Sequence, residues 1–221
     1  MEIADNIQHL KQSLPTHVRI VAVSKTVPEA DLLEAYHCNH RIFGENRVQE
    51  LVRKYSNLPR DIEWHMIGHL QTNKVRYIAP FIAMIHSVDN LNLLSVIDQE
   101  ALKNNRIIRC LLQIRIAKEE TKYGLSPDSA VELLSAPGFQ TLSNVRICGL
   151  MGMATFTEDT ALIRSEFHFL AGLFKQLKAD YFRADESFAE LSMGMSGDYP
   201  IAVEEGATLL RIGTLIFGQR T

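Results

Sequence analysis

The chain has 221 residues, 46% of them apolar and 22% charged, and its 23 Lys and Arg against 26 Asp and Glu leave a formal charge of −3. This is the composition of an ordinary soluble globular protein and excludes a disordered, collagen-like or low-complexity chain. The longest apolar run, Phe81 to Ile85, falls far short of the ~20 residues of a membrane span, and the charge balance creates no field for nucleic acid.

At the N-terminus, Ile3, Ile7, Leu10 and Leu14 recur at helical spacing without a continuous apolar stretch, which predicts a docking helix rather than a signal peptide. Arg19 to Val23 is a β-branched run followed by the turn Ser24–Lys25–Thr26–Val27–Pro28 and a helix through Tyr36. Pro28 suits the first turn of that helix, where a missing N–H costs nothing. Arg41–Ile42–Phe43 leads through Gly44 into a helix from about Asn46 to Tyr55. Glu63 to Ile67 reads as the next strand, Gln71 to Tyr77 as a helix, Phe81 to Ile85 as a buried strand ending at His86–Ser87–Val88–Asp89, and Asn90 to Lys103 as a helix.

The second half keeps the rhythm. Strands are expected at Ile107–Ile116, Val145–Leu150, Phe188–Leu191 and Leu209–Ile212. The intervening helices are expected over Pro127–Leu134, along a stripe of Leu162, Phe169, Leu170, Leu173 and Leu177, and around Ala202–Glu205 before Gly206. Eight short strands alternating with helices call for a parallel sheet, since each parallel pair needs a crossover. The expected fold is therefore α/β, a single (β/α)8 TIM barrel with an extra N-terminal helix, forming one domain over residues 1–221. An open doubly wound sheet is the alternative. The three cysteines, Cys38, Cys110 and Cys148, are odd in number and far apart, so reduced thiols in a cytoplasmic protein are expected.

In a barrel, chemistry gathers where strands end. Lys25 follows Val-Ala-Val, and alternation sets it on the face of Val21 and Val23, in an apolar mouth where desolvation would favour a neutral, nucleophilic amine. A lysine snorkelling to solvent is the plainer reading. Met195–Ser196–Gly197–Asp198 and Arg211–Ile212–Gly213–Thr214 follow strands seven and eight, whose loops often hold a phosphate. Ser196 as a helix cap and Gly213–Thr214 as a simple turn would explain the same residues. Arg211 lies on one face with Gly213 and, inside a barrel, needs a carboxylate, a phosphate or a ring heteroatom; Glu190 or Asp89 would serve as an internal ion partner. His65 and His69 have HxxxH spacing, but on a strand and loop they are not expected to converge on a metal. Met151, Met153, Met193 and Met195 read as core packing or as a soft wall for a ring.

Lysine, phosphate loops and a buried arginine together suit pyridoxal 5′-phosphate. The chain resembles the pyridoxal phosphate homeostasis protein family, relatives of the alanine racemase N-terminal barrel, from about Val18 to Arg220. The resemblance is carried by VAVSKT (Val21–Thr26), FGENRVQE (Phe43–Glu50), WHMIGHLQTNK (Trp64–Lys74), GLMGMA (Gly149–Ala154), LSMGMSGD (Leu191–Asp198) and LLRIGTLIFGQR (Leu209–Arg220). It implies a fold-type III protein whose Lys25 holds the cofactor as a Schiff base, with Arg211 facing the pyridine nitrogen. Ser196, Gly213 and Thr214 would take the phosphate, with Asn46, His69 and Met195 as neighbours. Arg115 stands where the family usually carries Asn, and EETKYG (Glu119–Gly124) matches loosely.

The implied function is intracellular homeostasis of pyridoxal phosphate, with effects on amino-acid and vitamin B6 metabolism. The protein would buffer the cofactor or deliver it to apo-enzymes, as a cytoplasmic monomer without robust catalysis. An arginine at the ring nitrogen leaves that atom unprotonated and weakens the electron sink. Racemisation needs an acid–base group on each face of the α-carbon, and the second domain that supplies one in two-domain racemases is not expected here. A slow racemase or lyase using Lys25 and His69 as bases, and a phosphorylated-metabolite barrel without the cofactor, are the competing readings.

Overall fold

The computed structural model describes residues 2–118 and 123–219. Its eight strands are β1 (Arg19–Val23), β2 (Ile42–Glu45), β3 (Glu63–Met66), β4 (Met84–Val88), β5 (Ile108–Ile114), β6 (Val145–Gly152), β7 (Glu190–Ser192) and β8 (Leu209–Ile212). They pair in chain order, all parallel, and β8 pairs back onto β1 to close a (β/α)8 barrel. Closure removes both sheet edges. Alternation then sorts each strand. Ala22, Phe43 and Trp64 face the helices, while Val21, Met84, Leu111, Cys148, Met151 and Leu209 pack inside the barrel.

The helices are α1 (Ile3–Ser13), α2 (Glu29–His37), α3 (Val48–Asn57), α4 (Val75–Ile78, entered by a 3-10 turn at Thr72–Lys74), α5 (Leu91–Lys103), α6 (Pro127–Ser135), α7 (Pro137–Gln140), α8 (Thr160–Tyr181), α9 (Tyr199–Glu204) and α10 (Thr214–Phe217). The N-terminal helix docks as its spacing predicts: Ile7 and Leu10 are buried, and the Asn6 amide donates to the Ile216 carbonyl at 3.0 Å. Asp159 caps the long helix α8 by accepting from the Ala161 and Leu162 N–H groups.

Two expectations need correction. The fourth strand ends at Val88, where it is expected to end, but it begins at Met84 rather than at Phe81. The preceding residues continue the turn of α4, because the Arg106 guanidinium binds the carbonyls of Ala79 and Ile82 at 2.7 Å each and Phe81 stacks on Tyr55. On α8 the buried stripe runs through Ile163, Phe167, Leu170, Leu173 and Leu177, whereas Phe169 is exposed. Gly213–Thr214 opens the one-turn helix α10.

Polar groups occupy the barrel axis in two tiers. At the N-terminal end Glu190 binds Arg19, Arg109 at 2.9 Å and the Thr208 hydroxyl at 3.0 Å. Farther along, Arg211 donates to the Ser192 hydroxyl at 2.7 Å, Ser192 lies 3.0 Å from His86 Nδ1, and His86 Nε2 lies 3.0 Å from His65 Nδ1. A guanidinium only donates, so the Ser192 oxygen accepts from Arg211, and burial keeps the two linked imidazoles neutral.

Burial lowers the pKa of His65 to about 3 and of His40 to about 4, and pushes that of His86 well below the ordinary value. These imidazoles are neutral when folded but bind protons when unfolded below pH ~6.5, so their stabilisation is complete above that pH and falls as pH drops toward 4. The loss is about 1.4 kcal/mol per pH unit per imidazole. Denaturant titrations between pH 7 and 5 should therefore show proton uptake on unfolding, and His40→Gln should remove about one proton of it; an unchanged slope would contradict this.

Gly149 has φ 147°, and a Cβ there would sit 1.8 Å from the Glu190 carbonyl oxygen. Gly149→Ala should cost at least ~2 kcal/mol in urea unfolding. Gly172→Ala, inside α8 with open space at its Cβ, should instead add ~0.5–1 kcal/mol.

Candidate functional site

The C-terminal ends of the strands enclose a cavity of about 410 Å³. Lys25 enters it one turn of alternation beyond Val23, and is half-buried. Asn46 reaches it from the end of β2, because α3 starts at Val48 and leaves Asn46 in the loop. The loop after β3 crosses this backbone closely: a Cβ on Gly68 would lie 2.5 Å from the Asn46 carbonyl oxygen, so only glycine fits.

Arg211, fully buried in β8, forms the floor. Two of its five N–H groups are committed, to the Ser192 hydroxyl at 2.7 Å and the Gly152 carbonyl at 2.9 Å. Neither Glu190 nor Asp89 is its partner; Glu190 is bound to Arg19 and Arg109, and Asp89 lies 3.7 Å from His69. Burial lowers the Arg211 pKa to about 10, with nearby Asp198 opposing the fall, so the guanidinium stays charged at neutral pH.

Ser196, Gly197, Gly213 and Thr214 also line the cavity. A Cβ on Gly197 would meet nothing within 4 Å, so a ligand can approach the backbone there. In the one-turn helix α10 the Ile216 and Phe217 N–H groups both reach the Gly213 carbonyl at 2.9 Å, and the Leu215 N–H reaches Ser196 Oγ only weakly, at 3.5 Å. The ionisable groups lining the cavity are Lys25, Arg211 and Asp198, a balance that favours an anionic ligand.

Seven of the eight predicted residues line this one cavity: Lys25, Asn46, Met195, Ser196, Arg211, Gly213 and Thr214. His69 does not. Its ring stacks on Tyr123 at 4.1 Å between centroids and leans toward Asp89. His65 turns into the barrel toward His86, so the HxxxH pair diverges. The methionines divide: Met151 and Met193 are core, Met153 and Met195 line the cavity. Arg115 is exposed and borders a separate small crevice with Gln113 and Tyr123. Residues 119–122 of the loosely matching segment lie outside the described residues.

Two contributors escaped the sequence reading. Asp198 is buried at the cavity wall and accepts from the Met195 N–H, which closes the β7 loop; burial raises its pKa against that bond and the pull of Arg211. The loop Met153–Thr157 forms another wall and is fastened by Glu166 of α8, whose carboxylate accepts from the Thr155 N–H and hydroxyl at 2.7 Å each. The available signal was a glutamate on the apolar side of a helix, which demands a nearby donor.

A profile of the alanine racemase N-terminal domain matches residues 1–221. The pyridoxal phosphate homeostasis protein of Aquifex aeolicus is 42% identical over 203 residues, 91% of this chain and 87% of its own. That of Synechocystis is 40% identical over 213 residues, 94% of each chain. Among solved structures, PipY of Synechococcus elongatus with PLP bound superposes with a TM-score of 0.88 at 37% identity, covering 98% of this chain and all of that one. With a cavity built from the same strand ends that its sequence motifs mark, the chain belongs to the pyridoxal phosphate homeostasis protein family within the alanine racemase N-terminal-domain barrels.

Proposed function

We propose that the protein binds pyridoxal 5′-phosphate through Lys25 and serves to hold, buffer and hand on the cofactor, with little turnover of its own. The observation that carries this reading is convergence: an amine, a donor-only guanidinium and a hydroxyl-bearing rim share one cavity. These groups match, in kind, an aldehyde, a pyridine nitrogen and a phosphate. The relatives' names and the PLP in the PipY structure support the same choice.

When bound, the cofactor supplies an aldehyde carbon that condenses reversibly with primary amines. Lys25 provides the amine, and its release by a competing amine would free the cofactor for an apo-enzyme acceptor. Ser196 and Thr214 donate hydroxyl hydrogens to the phosphate, while Gly197 and Gly213 let the backbone come close. Arg211 donates to the ring nitrogen and cannot readily surrender a proton, so that nitrogen stays unprotonated and carbanion chemistry is disfavoured. Asn46 and Met195 flank the ring. His69, stacked on Tyr123 away from the cavity lining, is assigned no contact in this reading. The protein is read as a cytoplasmic, one-domain monomer; no helix among the described residues is long and apolar enough to cross a membrane.

Titration with pyridoxal phosphate should raise a visible imine absorbance that Lys25→Ala abolishes; absorbance that survives the substitution would defeat the assignment. Ser196→Ala with Thr214→Ala should weaken retention at least ~10-fold, because hydrogen bonds to a charged group are worth ~1.5–3 kcal/mol each. Incubation of the loaded protein with amino acids in deuterated water should give negligible α-proton exchange. Rapid exchange would establish the racemase or lyase reading instead.

A further inference from the structure

Behind the end of β1, on the side away from the cavity, lies a buried charged cluster that the binding site as described does not use. Lys54 of α3 is fully buried, and its ammonium donates to the Ser24 carbonyl at 2.6 Å, Glu45 Oε1 at 2.7 Å and Glu50 Oε1 at 2.8 Å. Those three bonds use all of its hydrogens. The Ser24 hydroxyl donates to Glu45 Oε1 at 2.6 Å, and the Thr26 N–H donates to Glu50 Oε1 at 2.8 Å. Both residues flanking Lys25 are thus gripped, one through its carbonyl and hydroxyl, the other through its amide.

The grip opposes a strain. Thr26 has φ 61°, a left-handed conformation that a β-branched residue rarely adopts. The turn is closed by the Val27 N–H on the Ser24 carbonyl at 3.0 Å, so that carbonyl accepts from both Val27 and Lys54. Such a conformation persists only where surrounding contacts over-determine it. The ion cluster is a costly way to attach a helix, since Glu45 Oε2 remains buried without a partner, and an apolar contact would join α3 to the sheet as well.

We propose that Lys54, with Glu50 and Glu45, is a positioning device for Lys25: it fixes the strained Ser24–Thr26 backbone so that the Lys25 amine is held at the cavity wall in reach of an aldehyde. This rests on the reading of Lys25 as the cofactor-holding amine. The step it assists forms a C=N bond as the amine nitrogen adds to the aldehyde carbon. The carbonyl oxygen leaves as water with the two amine protons, and no oxidant or reductant takes part. Lys54, Glu50 and Glu45 do not line the cavity and touch no reacting atom; they act through Lys25.

The test compares pyridoxal 5′-phosphate with pyridoxine 5′-phosphate, which keeps the ring and phosphate but has an alcohol in place of the aldehyde. Glu50→Ala removes the acceptor of the Thr26 N–H at a partly exposed site, and Lys54→Met removes the central cation. Both should lower affinity for pyridoxal 5′-phosphate and imine absorbance at least tenfold while changing pyridoxine 5′-phosphate affinity less than twofold. Glu50→Gln, which retains an acceptor oxygen, should recover to within about threefold of wild type. Equal loss for both ligands, or no loss for either in Glu50→Ala, overturns the positioning role. A wild-type protein that binds both ligands alike and shows no imine instead overturns the reading of Lys25 on which it rests.

Discussion

The ladder between β1 and β8 is the contact on which the site depends. Arg19 pairs with Leu209, Ile20 with Leu210, Val21 with Arg211 and Ala22 with Ile212, which joins the first strand to the last. That closure sets the Lys25 loop beside Gly213 and Thr214 and makes one concave mouth out of loops scattered through the chain. It also fixes orientation. A slip of one residue in either strand would turn Lys25 or Arg211 from the barrel interior into the helix layer, because side chains alternate strictly. The site is a consequence of register before it is a consequence of residue type.

Among the buried charged groups, Glu190, Arg211 and Lys54 sit in different parts of the barrel, and each is matched to partners rather than left alone. Glu190 is tied to two arginines at the N-terminal end, Arg211 to a hydroxyl and a carbonyl below the cavity, and Lys54 to two carboxylates and a carbonyl behind β1. An unpaired ion in such places costs several kcal/mol, so the polar partners are obligatory once the charge is buried. For Arg211 the arrangement has a chemical consequence. Its charge is retained at neutral pH and its N–H groups only donate, which suits the ring-nitrogen contact proposed for it.

Much of the fold was legible because the period of apolar residues is local. β1 and β8 match the expected runs, and the glycines after strands mark the mouth. The misreadings share a cause. Phe81 is apolar yet belongs to a turn, because Arg106, distant in sequence, captures the carbonyls there and Tyr55 stacks on the ring. Phe169 fits a helical stripe by spacing, but α8 rolls so that Ile163 and Phe167 meet the core. At the site, Lys25 and Arg211 followed from strand alternation. Asp198 as a cavity wall and Glu166 as the anchor of the Met153–Thr157 loop required knowing which loops become neighbours. His69 shows the converse: it sits in a strand-end loop as read, and its ring turns to Tyr123 rather than to the cavity.

The sequence by itself determined the alternation of strands and helices, the inward face of Lys25 and Arg211, and, through its ordered motifs, the family. These are properties of spacing, and spacing survives without any tertiary contact. Only the tertiary structure decided that Ser192, His86 and His65 continue the polar line from Arg211. It alone decided that Glu45, Glu50 and Lys54 grip the backbone on either side of Lys25. Those contacts join residues from different strands and from a helix layer. Their distances depend on barrel closure and helix roll, which no local pattern encodes.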